Sequence, residues 1–333
     1  MNSSVFIKRL LKHRVMLPPL SGYTDYPYRS ILARFHPPFI MTEMVSAQAV
    51  IRKNPRTMQI LKIAEGAHFN GVQLFGSDTR VMGKAASIVE AMGFNYIDIN
   101  MGCMIKKVAN KGAGISLMKQ EENAFLVTSA VVSSVNIPVT CKLRLGATKQ
   151  DLNVVSLSNK LMDAGASAII IHGRTGEKKF GLTVDFSLIK SVVDNLSIPV
   201  VANGGIFTRR DAQMMIQRTG AAAVMPGRGL IGNPWLVSEL LSVFSGSSFY
   251  YPSLKNKKKI CLDHLQNLCD FYGNCNGVIK MRKILPEYFS NCHNLKNLKR
   301  EIQHASSCSK ILAFLESIYE VDGSIFYKKV VSS

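Results

Sequence analysis

The motif NMGC ends in Cys103, a thiol directly after an apolar, strand-like run. A thiol on a turn at the mouth of a cavity can act as a nucleophile or as a general acid. An ordinary thiol is mostly protonated at neutral pH, so it is able to donate a proton. Many cysteines are inert small hydrophobic residues, and a packing role is the alternative. Cys103 is therefore the first candidate for a catalytic residue.

Lys142 lies inside the apolar run of the segment PVTCKLRLG. A lysine is unfavourable among apolar side chains without a partner, so its position favours a chemical role. It can form a Schiff base, as in barrel aldolases, or it can place a positive charge beside a flavin ring. His172, in the segment IHGR, can add a hydrogen bond to such a ring, although a histidine alone is more often a satisfied core residue. Spacing does not decide between these roles.

Two glycine-containing segments, ANGGI and MPGRG, each follow an apolar run. Gly204, Gly205 and Gly227 leave room for a phosphate to approach backbone N–H groups. Arg228 can bind the same phosphate with two hydrogen bonds. Glycines also end strands in tight turns, which is the structural alternative. One phosphate site, without a second for a pyrophosphate, suits FMN better than NAD or FAD.

Short β-branched runs alternate with longer helical patterns from residue 15 to about residue 235, which predicts repeated βα units and a parallel sheet. Eight strands are predicted, at residues 15–20, 39–44, 71–76, 96–102, 138–146, 168–175, 199–206 and 222–229. Helices are predicted at residues 79–93, 121–135, 153–165 and 209–220. No GxGxxG unit opens the chain, so an α/β fold closed into a (β/α)8 TIM barrel is favoured over an open doubly wound sheet. In such a barrel, polar residues just past the strands share one cavity.

The chain has 333 residues and a formal net charge of +19, from 41 Lys and Arg against 22 Asp and Glu. Its length predicts a barrel domain over residues 1–240, which contains the candidate FMN site, and a small second domain over residues 250–333, whose composition is basic and whose patterns are all helical. The charge favours a polyanionic partner, either nucleic acid or an anionic membrane surface, and does not choose between them.

Targeting and metal signals are weak in this sequence. It has no apolar run of about 18 residues and no secretory pattern, so a cytoplasmic protein without a membrane span is expected. The seven cysteines are odd in number and form no CxxC pair, which argues against a disulfide framework and a zinc ribbon. No metal is expected, and no obligate protein partner is indicated.

The ordered motifs over residues 15 to about 240 resemble the tRNA-dihydrouridine synthase family, which is FMN-dependent. The motifs are, in chain order, PLSGYTDYPYR, TEMVSAQAV, VQLFGSD, NMGC followed by KKV and GAG, PVTCKLRLG, IHGRT, IPVVANGGI and MPGRGLIGNPW. The segments HLQNLCDFYG and MRKIL resemble the family's helical tRNA-binding domain more loosely. The resemblance implies that specific uridines in tRNA are reduced to 5,6-dihydrouridine, with FMN as cofactor and NADPH or NADH as electron donor. It also implies hydride transfer from N5 of FMN to C6 of uracil and proton transfer from Cys103 to C5.

Carried over position by position, the resemblance implies a role for each candidate residue. The implied flavin contacts are Pro19, Leu20, Ser21, Gln73, Lys142 and His172. The implied contacts to the FMN phosphate are Asn203, Gly204, Gly205, Gly227 and Arg228. The implied substrate contacts are Asn100 and Arg144, and the basic Lys106 and Arg174 at the barrel mouth are expected to bind the substrate as well. Further basic residues expected to hold RNA are Lys107, Lys178 and Lys179 near the barrel mouth and Lys255, Lys257, Lys258, Lys259, Lys280, Arg282 and Lys283 in the tail.

Two positions depart from the family pattern. Met104 stands where the family usually has proline, which would loosen the Cys103 turn, and Gly205 stands where an acidic residue is common, which would alter the phosphate loop. Three alternatives stay open: an FMN barrel acting on a free pyrimidine, such as a dihydroorotate dehydrogenase; an aldolase or lyase using Lys142; and an RNA-binding protein without catalysis.

Overall fold

A parallel sheet forms the centre of the computed structural model, which describes residues 3–177 and 183–328. Within those residues, seven strands follow one another in space in the order of the chain: β1 (Ile40–Ser46), β2 (Asn70–Phe75), β3 (Tyr96–Asn100), β4 (Val139–Arg144), β5 (Ala168–His172), β6 (Val200–Asn203) and β7 (Ala223–Met225). Each strand pairs in parallel with the next. All carboxyl ends therefore lie at the same edge of the sheet.

Residues 14–17 join the two edges of this sheet. The N–H of Met16 donates to the carbonyl of Val224 at 3.0 Å, and the N–H of Leu17 donates to that of Phe39 at 3.0 Å. The segment thus takes the place of the first strand, and the predicted barrel is confirmed. The strand predicted over residues 15–20 is shorter than expected, because Pro18 and Pro19 have no N–H to continue the pairing.

Helices precede and connect the strands. They are α1 (Ser3–His13), α2 (Tyr26–Ala33), α3 (Ala47–Ile51), α4 (Pro55–Ile60), α5 (Thr79–Ala91), α6 (Lys106–Ala109), α7 (Ile115–Met118), α8 (Glu121–Ser133), α9 (Val154–Asp163), α10 (Phe186–Asn195), α11 (Arg209–Thr219) and α12 (Leu236–Ser245), with a 3-10 turn at Arg228–Leu230. The four helices predicted from apolar spacing are confirmed as α5, α8, α9 and α11. No helix within residues 3–177 or 183–328 has the length and apolar character needed to cross a bilayer.

Local sequence explains where these helices begin and end, as α11 illustrates. The side chain of Thr208 accepts from the N–H of Asp211, whose carboxylate accepts in return from the N–H of Thr208. This reciprocal cap satisfies N–H groups that have no partner within the helix. The helix ends at Gly220, whose φ of +70° is left-handed and therefore favours glycine.

Helix α1 closes the barrel at the amino-terminal ends of the strands. Phe6 and Leu10 are fully buried, and the Phe6 ring lies 4.9 Å from the ring of Phe39 and 5.5 Å from that of Tyr96. The Tyr96 ring lies across Gly71, where an added Cβ would come within 2.1 Å of it. Burying a side chain such as that of Phe6 contributes roughly 1.5–3 kcal/mol. The barrel floor is therefore apolar and tightly packed.

The tail after the barrel forms α13 (Leu254–Tyr272), α14 (Asn274–Tyr288), α15 (Leu295–Ile302) and α16 (Cys308–Glu316), followed by an antiparallel hairpin of β8 (Ile318–Val321) and β9 (Ser324–Tyr327). The predicted helices are confirmed, whereas an all-helical tail was expected and the hairpin was not. Its turn is Asp322-Gly323, with φ values of +48° and +74°. An Asp-Gly pair between β-formers is a strong hairpin signal, and the sequence contained it.

The tail packs against helix α2 of the barrel. The ring of Tyr28 stacks on that of His264 with a centroid distance of 4.8 Å, and His264 Nδ1 lies 3.0 Å from the hydroxyl of Tyr288. The buried carboxylate of Asp25 accepts from the hydroxyl of Tyr272 at 3.1 Å and lies 3.4 Å from Nζ of Lys280. Buried polar contacts therefore fix the tail to the barrel. The division into domains at residues 1–240 and 250–333 stays a prediction.

Candidate active site

The strand register divides the barrel interior into layers. Successive side chains alternate in direction along a strand, so Tyr96, Asp98 and Asn100 of β3 share one face. Around Tyr96, towards the amino-terminal ends, the interior is apolar. Above it, Asp98 pairs in register with Gln73 and Thr140, so this row of interior side chains is polar. The polar layer faces the carboxyl ends, where barrels of this kind bind ligands.

Two cavities open in the polar layer. One, of about 360 Å³, is lined by the glycine loops after β6 and β7, and the other, of about 170 Å³, by the NMGC turn after β3. Four residues line both cavities, namely Pro19, Lys142, Arg144 and His172. The two cavities therefore adjoin along a shared wall.

All the predicted site residues except Lys106 line one or both of these cavities. The larger cavity also includes Leu20, Arg174, Asn203, Gly204, Gly205, Gly227 and Arg228. The smaller cavity also includes Ser21, Gln73, Asn100 and Cys103. Lys106 is exposed at the start of α6, outside both linings. The structure thus brings the candidates together, and their roles stay predictions.

The two glycine loops are held together by Asn203. Its Nδ2 donates to the carbonyl of Met225 at 2.8 Å. Gly204 and Gly205 have φ values of +122° and +69°, and an added Cβ at Gly204 would lie 3.2 Å from Cδ2 of His172. The backbone conformation therefore requires glycine at both positions, including the departure at Gly205.

Positive charges surround His172 and set its protonation state. Burial, followed by the charge of Lys142, lowers the pKa of His172 to about 2. Its Nε2 lies 3.3 Å from a guanidinium nitrogen of Arg174. Since a guanidinium only donates, Nε2 accepts and the proton of the neutral ring is on Nδ1. The pKa of Arg174 is also lowered, by burial and by the charge of Arg228. This end of the larger cavity is suited to an anion.

Lys142 and Arg144 are anchored differently in the shared wall. Nζ of Lys142 donates to Oδ1 of Asn203 at 3.0 Å, and burial lowers the pKa of this lysine. Nε of Arg144 donates to the carbonyl of Gly102 at 2.9 Å, and Nη1 donates to that of Thr175 at 2.8 Å. Arg144 therefore connects the loop after β3 to the loop after β5.

The Cys103 turn is fixed on both sides of the thiol. The N–H of Cys103 donates to Oδ1 of Asn100 at 3.0 Å, and its carbonyl accepts from the N–H of Ile115 at 3.0 Å. Gly114, with φ of +60°, approaches so closely that an added Cβ would lie 2.7 Å from the Cys103 carbonyl oxygen. These contacts hold the turn although Met104 stands where the resemblance predicts proline.

Asp98 is the site residue that the sequence analysis missed. Its side chain is fully buried, and it accepts from Nε2 of Gln73 at 2.7 Å and from the hydroxyl of Thr140 at 2.6 Å. Burial raises the pKa of Asp98, and the charge of Lys142 opposes that rise. The signal was a lone carboxylate within the apolar segment YIDIN, two residues before Asn100 and so on the same face.

Several of the basic residues expected to hold RNA have structural partners instead. Lys280 pairs with Asp25, Lys259 pairs with Asp263, and Nε of Arg282 donates to the carbonyl of Ala305 at 2.7 Å. Of the other basic residues expected to hold RNA, the exposed ones are Lys106, Lys107, Lys255 and Lys283. Lys178 and Lys179 lie outside the described residues. Within residues 3–177 and 183–328, no group of three or more His, Cys, Asp or Glu is placed to hold a metal ion.

Comparison with known proteins places this site in a family. The profile of the family described as Dihydrouridine synthase (Dus) matches residues 16–321. The chain belongs to the dihydrouridine synthase family. A tRNA-dihydrouridine synthase B from Pasteurella multocida is 37% identical over 279 residues, which are 84% of this chain and 84% of that protein. A probable tRNA-dihydrouridine synthase from Rickettsia conorii is 32% identical over 318 residues, which are 94% of this chain and 96% of that protein.

The dihydrouridine synthase match extends beyond the barrel. It runs to residue 321, so it includes the tail helices α13 to α16 as well as the cavities. The family predicted from the ordered motifs is confirmed. Among solved structures, a FabK mutant from Thermotoga maritima aligns over 68% of this chain and 65% of its own with a TM-score of 0.44 and 16% identity, too low a similarity to bear on function.

Proposed function

We propose that this dihydrouridine synthase reduces uridine in tRNA to 5,6-dihydrouridine, with FMN as cofactor and NADPH or NADH as electron donor. Its relatives are tRNA-dihydrouridine synthases by name, and a net charge of +19 suits a nucleic-acid substrate. The observation that carries the proposal is the pair of adjoining cavities. One has a lining suited to a phosphate, the other contains Cys103, and both share Lys142 and His172.

The lining of the larger cavity fits FMN. The glycines at 204 and 205 leave backbone without Cβ atoms beside the cavity, and Arg228 supplies positive charge for one phosphate. Lys142 at the shared wall and Gln73 in the adjoining smaller cavity can hydrogen-bond to polar atoms of a flavin ring. When bound, FMN would supply the hydride that reduces C6 of the uracil ring.

The residues of the smaller cavity would position the uracil and protonate it. Cys103 would donate a proton to C5 as a general acid, from a turn whose backbone is held by Asn100 and Ile115. Neutral His172, with its proton on Nδ1, and the charged Arg144 would supply polar contacts at the wall that both rings share. The uridine would have to leave its stack to reach this depth in the barrel.

The basic surface would hold the RNA backbone. We assign this role to Lys106, Lys107 and Arg174 near the mouth and to the exposed Lys255 and Lys283 on the tail. Each phosphate contact releases counterions, so tRNA affinity should fall steeply as salt rises. The lysines that pair with Asp25 and Asp263 would contribute less, because their charge is already compensated.

The proposal is tested by an absorbance spectrum of the purified protein, followed by anaerobic addition of NADPH and then of unmodified tRNA. Flavin bands that bleach with NADPH and recover with tRNA, together with dihydrouridine in the recovered RNA, are the expected result. Recovery with free uracil or uridine but not with tRNA would contradict the substrate, and a protein that binds no flavin after incubation with FMN would contradict the cofactor.

A further inference from the structure

A buried carboxylate lies beneath the residues that carry the proposed chemistry. Asp98 is fully buried in the middle of β3, whereas the layer below it is apolar. A carboxylate in this position is unfavourable unless hydrogen bonds and an opposite charge compensate for its lost solvation. Its oxygens accept from Gln73 and Thr140, its register neighbours on the two flanking strands. Burial raises the pKa of Asp98 to about 7, and these hydrogen bonds and the charge of Lys142 oppose that rise.

The hydrogen bonds that start at Asp98 run in one direction to the cysteine. Nε2 of Gln73 donates to Asp98 at 2.7 Å, so Oε1 of Gln73 is left to accept from Nδ2 of Asn100, also at 2.7 Å. That leaves Oδ1 of Asn100 to accept from the N–H of Cys103 at 3.0 Å and from that of Gly102 at 3.3 Å. Five residues from two strands and one loop are thereby connected.

The direction of this chain depends on a group that only accepts. Both oxygens of Asp98 accept, one from Nε2 of Gln73 and the other from the hydroxyl of Thr140, and this arrangement fixes which end of the Gln73 amide faces the carboxylate. If that amide were reversed, Asn100 would also have to reverse, and its NH2 group would face the N–H of Cys103. Thr140 shares the same carboxylate but lies on the other flanking strand, β4, and makes no hydrogen bond to Gln73 or Asn100 within the described residues.

We propose that Asp98 is a positioning residue, which orients the amides of Gln73 and Asn100 and through them holds the Cys103 turn in the geometry needed for proton donation. The inference rests on the proposed function, because it concerns the residue that would donate the proton. It assigns a function to a side chain that touches neither cavity.

The test replaces the carboxylate without changing its size. In Asp98→Asn the acceptor-only group is lost, and we expect Cys103 to react with iodoacetamide at least about threefold faster because the turn opens more readily. Peptide-resolved mass spectrometry measures this rate, with the exposed tail residue Cys275 as the internal reference in the same molecules. Turnover on tRNA should fall about 10-fold to 100-fold with a smaller change in KM, as expected for a misplaced reacting group.

Thr140→Val is the matched control. It removes the other hydrogen bond to Asp98, so a merely structural role predicts that both variants change the turn and turnover alike. The positioning role predicts that Thr140→Val lowers thermal stability but leaves Cys103 alkylation unchanged. In an Asn100→Ala background, Asp98→Asn should cause no further change in alkylation, because the connection is already broken.

Two further outcomes separate this inference from the proposed function. If Asp98→Asn does not fold, Gln73→Met breaks the same connection one bond later and should give the same faster alkylation. If Cys103 in either folded variant reacts with iodoacetamide at the same rate as in the protein without substitutions, the positioning role is overturned. If alkylation responds as expected but the unmodified protein converts no uridine in tRNA, the proposed function fails and the positioning of Cys103 stands.

Discussion

The lower and upper halves of the barrel interior are built by the same strands but contain different chemistry. The lower half is filled by aromatic and aliphatic side chains such as Phe39 and Tyr96 and is sealed by α1. The upper half contains Asp98, Lys142 and His172, whose pKa values are all shifted by burial. A pKa shifted by burial shows that the charged form of the group is disfavoured at that position. The lower half thus stabilises the fold, and the upper half uses part of that stability to hold reactive groups in place.

The largest expected effect of a single substitution belongs to the upper half. Cys103→Ala should lower the turnover on tRNA by about 10²-fold to 10⁴-fold, because a positioned general acid contributes that much. FMN content and the free energy of unfolding should change little, since the side chain is half-buried at the cavity. Mass spectrometry of the digested tRNA measures the product. Cys275→Ala, at an exposed tail position, is the control. Unchanged turnover in Cys103→Ala would assign proton donation to another group.

The matching substitution in the lower half should act on stability alone. Phe6→Ala removes a fully buried ring from the barrel floor and should reduce the free energy of unfolding by about 3–5 kcal/mol. Urea denaturation measures the loss. Val5→Ala, at the 50% exposed neighbouring residue, should change it by less than about 0.5 kcal/mol. The comparison between the halves would break down if Phe6→Ala lowered turnover per folded molecule as strongly as Cys103→Ala.

A smaller effect is expected from a substitution that strains the backbone in the upper half without removing a reactive group. Gly204→Ala would place a Cβ 3.2 Å from His172 at a φ of +122°, and we expect it to weaken FMN binding about 10-fold. Titration of flavin fluorescence measures the affinity. Gly246→Ala imposes a similar strain, at a φ of +71° in open space after α12. Equal affinity in the two variants would mean that the Gly204 loop does not hold the cofactor.

The last expected effect concerns a buried titratable group outside the barrel. Burial lowers the pKa of His264 to about 3, whereas the unfolded chain has about 6.5. Below pH 6.5 the unfolded state therefore binds a proton that the folded state does not. The free energy of unfolding should fall with acidification by up to about 1.4 kcal/mol per pH unit from this residue, until its folded pKa is reached.

Denaturation at several pH values checks this expectation in His264→Gln. The slope between pH 6.5 and about 3 should become shallower in the variant, although His172 would still contribute its own share. His304→Gln, at an exposed position, should leave the slope unchanged. An unchanged slope in His264→Gln would show that this contact between barrel and tail admits a charged imidazole.

Much of the barrel could be predicted from sequence because its signals are local. β-branched runs and glycine punctuation predicted seven of the strands, and the strand ends predicted the residues that meet in the cavities. The first strand was predicted too long because pairing depends on N–H groups that Pro18 and Pro19 lack. The roles of these residues towards FMN and tRNA stay predictions.

The features that were missed depend on distant parts of the chain. Asp98 becomes a buried acceptor only when β2 and β4 bring Gln73 and Thr140 to it. Lys280 was predicted to hold RNA, yet it lies against Asp25, 255 residues earlier in the chain. The partners of Asp98 and of Lys280 cannot be chosen from one sequence alone, because each side chain has many candidate partners along the chain. The hairpin at Asp322 is different, since its turn signal is local and was present.

Closure of the barrel by its first residues has a consequence for how the protein is made. Nε of Arg14 donates to the carbonyl of Ala222, 208 residues later in the chain. At about 10 residues per second, a ribosome takes roughly 20 s to deliver that partner. Until then the apolar face of α1, with Phe6 and Leu10, lacks the finished barrel floor that buries it. The side chains that make the completed barrel tight are thus among those exposed longest while it is being synthesised.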